Sequence, residues 1–526
     1  MKRLGIYGGT FNPIHVGHIR AAEAFYDAMR LDELLVMPTF ISPHKEMQKG
    51  DDPSYRLEMT ALAFEGNGRS ITVSDYEINK GGKSYTYLTL EHFASPDTAL
   101  FFLMGTDMFL CLDKWKNAPR IFELTTVVLV RRESDADASD DIEEAKARYV
   151  GLYGARIEEI SLDPTELSSS QIREAVKGGC DISSLVTPRV EEYIRSYKLY
   201  TDDTVYATVR EQMPKKRLRH VFSTTDEAVR LAELYGMSDG ETEQLQVAAA
   251  LHDITKYYTA AEHVSYLEGR GVTVDTDTLN SEKTMHQMSG AERARELFPD
   301  TVNDNIYGAI RYHTTGKADM TLSQKLLYLA DYIEQGRTFP DCVKLREYFY
   351  NRINNGEDRD TVLTDTLILS IEMTVNDLNE NGLPIHSDTV SALEFLKGKR
   401  KMEENMTHSP LAIAEEIVKV LDMKKGADIK LLHVTEKTVL ADYFVICGGN
   451  STTQVKGLSD EVEYKLGLNG VVPAHVEGHD SASWVLMDYH SVIVHVFTPD
   501  AREFYNLEKH WAEAEQVDIS HLLTED

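Results

Sequence analysis

The sequence predicts a multidomain chain: an α/β part near residues 1–200, an all-α bundle near 205–398, and a small α/β part with a mixed sheet near 408–526. Three observations lead there. At 526 residues the chain is longer than one hydrophobic core organises. Its texture changes twice. Strand-like and helix-like runs alternate first, then helical spacing takes over, as in Leu322…Leu326-Leu327…Leu329-Ala330, and then β-rich runs such as Tyr443-Phe444-Val445-Ile446 and Val492-Ile493-Val494-His495-Val496-Phe497 follow a single helix. Polar, charged stretches at 201–217 and 397–408 fall at the two changes and read as linkers. Ser409-Pro410 then restarts order, with Ser as N-cap and Pro at the first helical position.

Composition narrows the class of function. Hydrophobic residues make up 42% and charged residues 27%, ordinary for folded protein, but the formal net charge is −31. So acidic a surface repels phosphate backbones, so direct nucleic-acid binding is not expected. Small anions still bind where local N–H groups and a few cations converge. The four cysteines lie far apart with no CxxC pair, which reads as reduced thiols. Met1 to Tyr7 leads straight into Gly8-Gly9, leaving no room for the apolar stretch of a signal peptide, and no apolar run approaches the ~20 residues of a membrane span. A cytoplasmic protein without a membrane partner is the expectation.

In the first part, residues 3–8 read as a buried strand, and residues 18–29 as a helix with Ile19, Ala22, Phe25 and Met29 on one face. Gly8 and Gly9 in the turn between them let the backbone approach an anion, and the helix start adds donors and a favourable dipole. His15 and His18, three apart, point to one side. Attack on an α-phosphate needs no covalent nucleophile; it needs two aligned nucleotides and donors for the reorganising charge. Two imidazoles and a backbone nest supply these. The acidic segment 133–148 reads as a solvated loop without chemistry.

The string from Gly8 to His18 resembles that of the nicotinate-nucleotide adenylyltransferases, within the nucleotidyltransferases that carry an HxGH signature. The resemblance spans about 1–200 and also rests on Pro38…Pro43-His44-Lys45, Asp75-Tyr76-Glu77, Ser84-Tyr85-Thr86, Gly105-Thr106-Asp107, Trp115 and Leu167-Ser168-Ser169-Ser170-Gln171-Ile172-Arg173. It implies a Rossmann-like fold, ATP with Mg2+, and nicotinate mononucleotide as acceptor. It further implies His15, His18, Lys45 and Arg173 in catalysis, Gly8, Gly9, Thr10, Phe11, Gly105, Asp107 and Ser169 on ATP, and Tyr85, Thr86 and Trp115 on the acceptor side. Ser170 stands where the family usually has threonine, and Leu167 where it has isoleucine. The rivals within the class are cytidylyltransferases and pantetheine-phosphate adenylyltransferases; Ser84-Tyr85-Thr86 with Trp115 favours the nicotinate acceptor.

The middle part offers six candidate metal ligands in order: His220, His252, Asp253, His286, His313 and Asp331, separated by 17 to 32 residues. Such spacing excludes a zinc finger and suits a bundle in which each helix sends a ligand inward. Val247-Ala248-Ala249-Ala250-Leu251 would bury His252-Asp253, a costly placement unless a metal satisfies the pair. Imidazole with carboxylate suits iron, manganese or zinc, and six ligands could hold two ions. The pattern resembles HD-superfamily phosphohydrolases. With Ala330-Asp331-Tyr332-Ile333-Glu334-Gln335-Gly336-Arg337 it is similar to the symmetric diadenosine tetraphosphate hydrolases of bacteria. That resemblance spans about 210–398, makes ADP the product and sets Lys256, Thr314 and Arg337 near its phosphates; Glu334, apart from it, reads simply as a partner of Arg337. The alternatives are another nucleotide substrate or a degenerate nucleotide-binding scaffold.

In the last part, residues 410–424 read as an amphipathic helix ended by Gly426, and strands follow at 429–434 and 442–447. Gly448-Gly449-Asn450-Ser451 is a turn, but no pair of carboxylates two apart follows it to hold magnesium for nucleotidyl transfer. From 408 onward nine Lys+Arg face twenty Asp+Glu, a net −11, which suits a basic protein surface and opposes bare RNA. The residues Asp442-Tyr443-Phe444-Val445-Ile446, Gln454-Val455, Glu477-Gly478, Trp484-Val485-Leu486, Asp488-Tyr489 and Tyr505…Trp511 resemble the ribosomal silencing factor (Iojap-like) family. That implies binding to a basic protein of the large ribosomal subunit and a block on subunit joining, with Trp484, Tyr489 and Trp511 divided between core and contact.

Overall fold

The computed structural model describes all residues except 42–50, 133–138, 163–166, 408, 439, 469 and 525–526, and the side chains of 132 and 402–407. The chain forms two compact units, residues 1–351 with 373–389, and residues 352–372 with 390–526.

The first unit opens with six strands: β1 (Lys2–Gly9), β2 (Glu33–Pro38), β3 (Ile71–Val73), β4 (Thr98–Gly105), β5 (Thr125–Arg132) and β6 (Arg156–Leu162). They pair in parallel in the order β3-β2-β1-β4-β5-β6. Parallel strands covered by helices on both faces bury continuous apolar runs, as in Leu34 to Met37 and Val127 to Val130. Strand order reverses between β1 and β4. The crevice at such a switch point lies outside the carboxyl ends of the strands, and here those ends are Gly8-Gly9 and Gly105. The helix after β1 spans Val16–Ala28 and buries Ala21, Ala22 and Phe25, while Ile19 and Met29 are only half-buried, a register shifted from the expected face.

Two further expectations are corrected. Residues 139–148 of the acidic segment belong to a helix, Ser139–Tyr153, because Ile142, Ala145 and Tyr149 recur on one face and enter the core. Its acidic first turn complements the helix dipole. Neither polar boundary is an irregular linker. Thr204–Gln212 and Lys215–Leu234 are helices on either side of Pro214, and Ser387–Thr407 is helical through the charged stretch.

The all-α region continues with the helices Asp239–Leu251, Glu282–Leu297, Asp304–Arg311 and Leu322–Ile333. Capping boxes start two of them, at Ser238 with Glu241 and at Thr321 with Gln324.

In the second unit the helix Pro410–Met423 starts as expected, its Ser409 side chain accepting from the Ala412 N–H. Six strands follow: β7 (Ala427–His433), β8 (Tyr443–Gly448), β9 (His475–Glu477), β10 (Trp484–Asp488), β11 (Val492–Phe497) and β12 (Glu515–Val517). Their order is β12-β7-β8-β11-β10-β9, parallel only between β8 and β11, so the sheet is mixed. One face packs on the helices Pro410–Met423 and Thr452–Leu468 through Ile417, Val418, Leu421, Val455 and Val462. On the other face Phe444 and Phe497 carry Trp484 and Trp511, both partly buried in that cluster, while Tyr489 is buried on the first face.

Candidate active sites and a candidate metal centre

The switch-point crevice of the parallel sheet gathers the residues expected on ATP. His15 is the N-cap residue of the helix Val16–Ala28 and His18 lies in its first turn; their rings stack with centroids 3.7 Å apart. Phe11 stands edge-on to His18 at 5.1 Å, and its backbone has φ 49°. A Cβ on Gly9 would lie 2.7 Å from that Phe11 ring, so glycine is required there by contact as well as for anion approach. A cavity of about 820 Å³ is lined by Gly8, Gly9, Thr10, Phe11, His15, His18, Gly105, Asp107, Trp115, Ser169 and Arg173. Ser168 caps its helix reciprocally with Gln171, presenting Ser169, whose Oγ donates to the Pro13 carbonyl at 2.8 Å. Arg173 donates from Nη1 to the Asn12 carbonyl at 2.7 Å. Lys45 lies outside the described residues.

A second cavity, about 350 Å³, adjoins the first and shares Gly8, Gly9, Thr10 and Trp115 with it. Tyr85 and Thr86 line it, with Glu77, Lys83 and Lys116. Burial raises the Glu77 carboxyl above its ordinary range, against the hydrogen bonds from Ser84 and Thr89. Lys116 rests 4.2 Å from the centre of the Tyr85 ring. Two cavities that meet over one backbone cradle suit two substrates reacting where they touch.

Sequence reasoning missed two supports of this cradle. Arg56 is 1% exposed and donates to the carbonyls of Thr10 at 2.9 Å, Thr39 at 2.7 Å and Phe40 at 3.0 Å, while Asp51 balances its charge at 2.8 Å. The available signal was an arginine three and four residues before Met59 and Thr60, on the buried face of its helix. Tyr200 donates to the Asn12 side chain at 2.6 Å, and no local pattern announces a contact 188 residues distant.

In the helical region all six candidate ligands converge. His252 and Asp253 are fully buried at the end of the helix Asp239–Leu251. One ligand atom from each of His220, His252 and Asp331 lie within 4.8 Å of one another, as do those of His252, Asp253 and His313. His286 Nε2 is 3.2 Å from Asp253 and 3.0 Å from His313 Nε2. Nδ1 of His252 and of His313 face the carbonyls of Ala249 and Ile310 at 2.6 and 2.7 Å, which turns both Nε2 atoms toward the centre. Burial pushes Asp253 up, but His252, His286 and Lys256 outweigh it and hold the carboxyl well below its usual range. Asp331 is likewise held low, burial being overcome by Arg337 and His220. Burial and the neighbouring His286 and His252 keep the His313 imidazole well below its ordinary value, hence neutral and able to ligate.

The donors fit a divalent ion. His252 Nε2 and Asp253 Oδ1 are buried without a hydrogen bond among the described residues, a placement that a cation would satisfy. Lys256 Nζ lies 3.0 Å from His286 Nε2, and Thr314 Oγ1 lies 3.3 Å from the same atom. Arg337 pairs with Asp331 at 2.8 Å. Glu334 corrects an expectation: its carboxylate faces His220 Nδ1 at 3.2 Å instead of Arg337, because the backbone turns at Gly336, whose N–H it accepts. Gln287, also unforeseen, is buried and accepts from the N–H groups of Thr314 and Thr315 at 3.1 Å.

Comparison with known proteins finds three matched stretches along the chain. The family model described as Cytidylyltransferase-like matches residues 6–175, that described as HD domain matches 217–336, and that described as Ribosomal silencing factor during starvation matches 407–526. The chain therefore carries an HD domain and a ribosomal silencing factor domain after its α/β part. A probable nicotinate-nucleotide adenylyltransferase from Desulfatibacillum aliphaticivorans is 34% identical over 215 residues, which are 38% of this chain and 99% of that protein. One of the same description from Clostridium beijerinckii is 38% identical over 206 residues, 38% of this chain and 100% of the relative. A solved structure, titled a predicted HD superfamily hydrolase involved in NAD metabolism from Clostridium acetobutylicum, is 26% identical, covering 38% of this chain and 97% of that one with a TM-score of 0.33.

Proposed function

Through its α/β part the chain belongs to the nicotinate-nucleotide adenylyltransferase family, and on that premise we propose that it transfers the adenylyl group of ATP to nicotinate mononucleotide. The observation that carries this reading is the pair of cavities meeting over Gly8 to Thr10, beside His15 and His18. The acceptor's phosphate oxygen forms a bond to the α-phosphorus, the α–β bridge breaks, and pyrophosphate departs. His18 and Arg173 steady the charge on the phosphates, backbone N–H groups at the helix start hold them, and Trp115 with Tyr85 orients the acceptor. Lys45 takes a further share of the phosphate charge, and Mg2+ enters with ATP. Purified protein converts ATP and nicotinate mononucleotide to dinucleotide and pyrophosphate, and His18→Ala removes this turnover. A mutant as fast as wild type refutes the assignment.

For the HD domain the proposal is hydrolysis of diadenosine tetraphosphate to two ADP. The convergent ligands, with Lys256, Thr314 and Arg337 around them, support it. A divalent ion held by His220, His252, Asp253, His286, His313 and Asp331, iron first and manganese or zinc otherwise, supplies Lewis acidity toward water and phosphoryl oxygen. Glu334 fixes the His220 ring, and Lys256 and Arg337 bind phosphate oxygens. A chromatographic assay with diadenosine tetraphosphate tests this; loss of the nucleotide to products other than ADP overturns it. For the last domain the proposal is capture of a basic protein on the large ribosomal subunit, which keeps the small subunit away; its acidity supports that.

A further inference from the structure

Around the candidate metal centre three cations, from three separate segments, converge on two carboxylates. Arg217, in the first turn of the helix Lys215–Leu234, donates from Nε to Asp253 Oδ2 at 2.7 Å and from Nη2 to the same oxygen. Lys256 lies 3.8 Å from Asp253 Oδ1, and Arg337 pairs with Asp331 Oδ1. None of the three is sealed in. Their side chains remain 24, 35 and 24% exposed, while Asp253 is only 1% exposed. Arg217 is one turn from His220 on the same helix face, so the backbone that presents a ligand also presents this guanidinium.

The charge balance identifies what the cations meet. Asp253, Asp331 and Glu334 carry three negative charges against the three positive ones. Asp253 and Asp331 are also the carboxylates that would hold a divalent ion, and adding its charge leaves the site in positive excess. That excess of two positive charges draws an anion, and the three partly exposed cations, set on separate segments around the rim, suit one whose charge is spread over more than one phosphate. A guanidinium suits such a ligand, since its fork grips two oxygens at once.

We propose that Arg217 is a substrate-binding residue of the HD domain, and that with Lys256 and Arg337 it selects a nucleoside carrying a chain of phosphates over one carrying a single phosphate. The inference rests on the reading of this domain as a metal-dependent phosphohydrolase and adds the residue that reads chain length.

The test is calorimetric titration of ADP and of AMP into the full chain loaded with Mn2+, with the chelator-stripped chain titrated in parallel to subtract nucleotide taken by the adenylyltransferase cavity. Arg217→Met is expected to weaken the metal-dependent binding of ADP by about tenfold or more, to move AMP by no more than about twofold, and to leave Mn2+ content unchanged by elemental analysis. Arg217→Lys keeps the charge without the fork and falls between. Equal losses for ADP and AMP, or loss of Mn2+ from the variant, would make Arg217 a support of Asp253 and overturn the proposal. So would ADP binding by wild type that is indifferent to metal. The two readings fail separately. If Arg217 governs ADP binding but diadenosine tetraphosphate stays intact, the tetraphosphate assignment falls and this inference stands. If the tetraphosphate is cleaved but Arg217→Met leaves the ADP to AMP ratio alone, the reverse holds.

Discussion

At the scale of single residues, the candidate sites divide by how far apart their partners lie. His15 and His18 stack because three residues on a helix start put both rings on one side, and that proximity is written in one contiguous string. Asp253→Ala should strip the metal centre, since it removes the carboxylate that His220, His252 and His286 all approach; elemental analysis reads the loss, and a variant that keeps its full metal refutes the ligand set. Glu334→Gln should weaken metal affinity by about tenfold with the fold intact, because the amide no longer holds His220 Nδ1–H as a carboxylate does. Unchanged affinity would demote Glu334 to a turn residue serving Gly336. Glu334, Arg56, Arg217 and Tyr200 were not legible as partners in the sequence. Each acts through a contact made only after distant segments pack, and a charged side chain on a helix reads as surface until its neighbour is known. Lys116 and Lys83 lie in the second cavity for the same reason, unannounced by any spacing.

At the scale of elements, strands and helices with strong apolar periodicity were legible, and elements whose role is set by packing were not. The helix Ser139–Tyr153 hid behind its charge: Asp140 and Asp141 suggest a loop, yet carboxylates in a first turn are what a helix N-terminus favours. The helix Pro53–Phe64 earns its place by carrying Arg56 under the cradle. Arg56→Met should leave the carbonyls of Thr10, Thr39 and Phe40 and the Asp51 carboxylate without their shared donor. A loss of about 3 kcal/mol in stability is expected, together with weaker ATP binding; a thermal melt that does not move refutes the account. Strand β11 makes a prediction in pH. His495 is buried beside Phe444 and accepts from Trp484 Nε1 at 3.3 Å, and burial holds its imidazole down to about 4. The folded state resists a proton that the unfolded chain accepts near 6.5. The contribution is therefore complete above pH 6.5 and is lost as pH falls toward 4, the loss reaching about 2 kcal/mol at pH 5. Scanning calorimetry from pH 7 to 4.5 should show this slope, and His495→Leu should flatten it. An equal slope in the variant places the proton elsewhere.

At the scale of the whole molecule, composition and texture were enough to divide the chain into an α/β part, a helical part and a mixed-sheet part, because each architecture imposes its own period on apolar residues. The joints were less legible. Lys215 lies within a run that reads as a linker, yet it starts a helix, pairs with Glu58 at 2.7 Å and rests 4.3 Å from the Tyr55 ring. Charged residues flanking a proline signal a break in the chain and do not say whether helices resume on both sides. The three functions proposed for one chain make a prediction that no single domain makes. On that proposal, adenylyl transfer depends on His15 and His18, hydrolysis on Asp253, and ribosome capture on neither. A chain carrying both His18→Ala and Asp253→Ala should therefore lose both enzymatic activities while still sedimenting with large ribosomal subunits. The acidic surface adds a condition. With a net −11 from residue 408 onward and a basic protein as the proposed partner, the association is expected to be steered by charge and to weaken as salt rises through the range where the Debye length falls from about 10 Å toward 3 Å. Apolar contacts alone would hold or tighten under the same salt. Sedimentation of the double variant across a salt series reads both points: pelleting that survives the substitutions and fades with salt supports the assignment, whereas loss with the substitutions ties capture to the catalytic sites, and insensitivity to salt rules out charge as what brings the partners together.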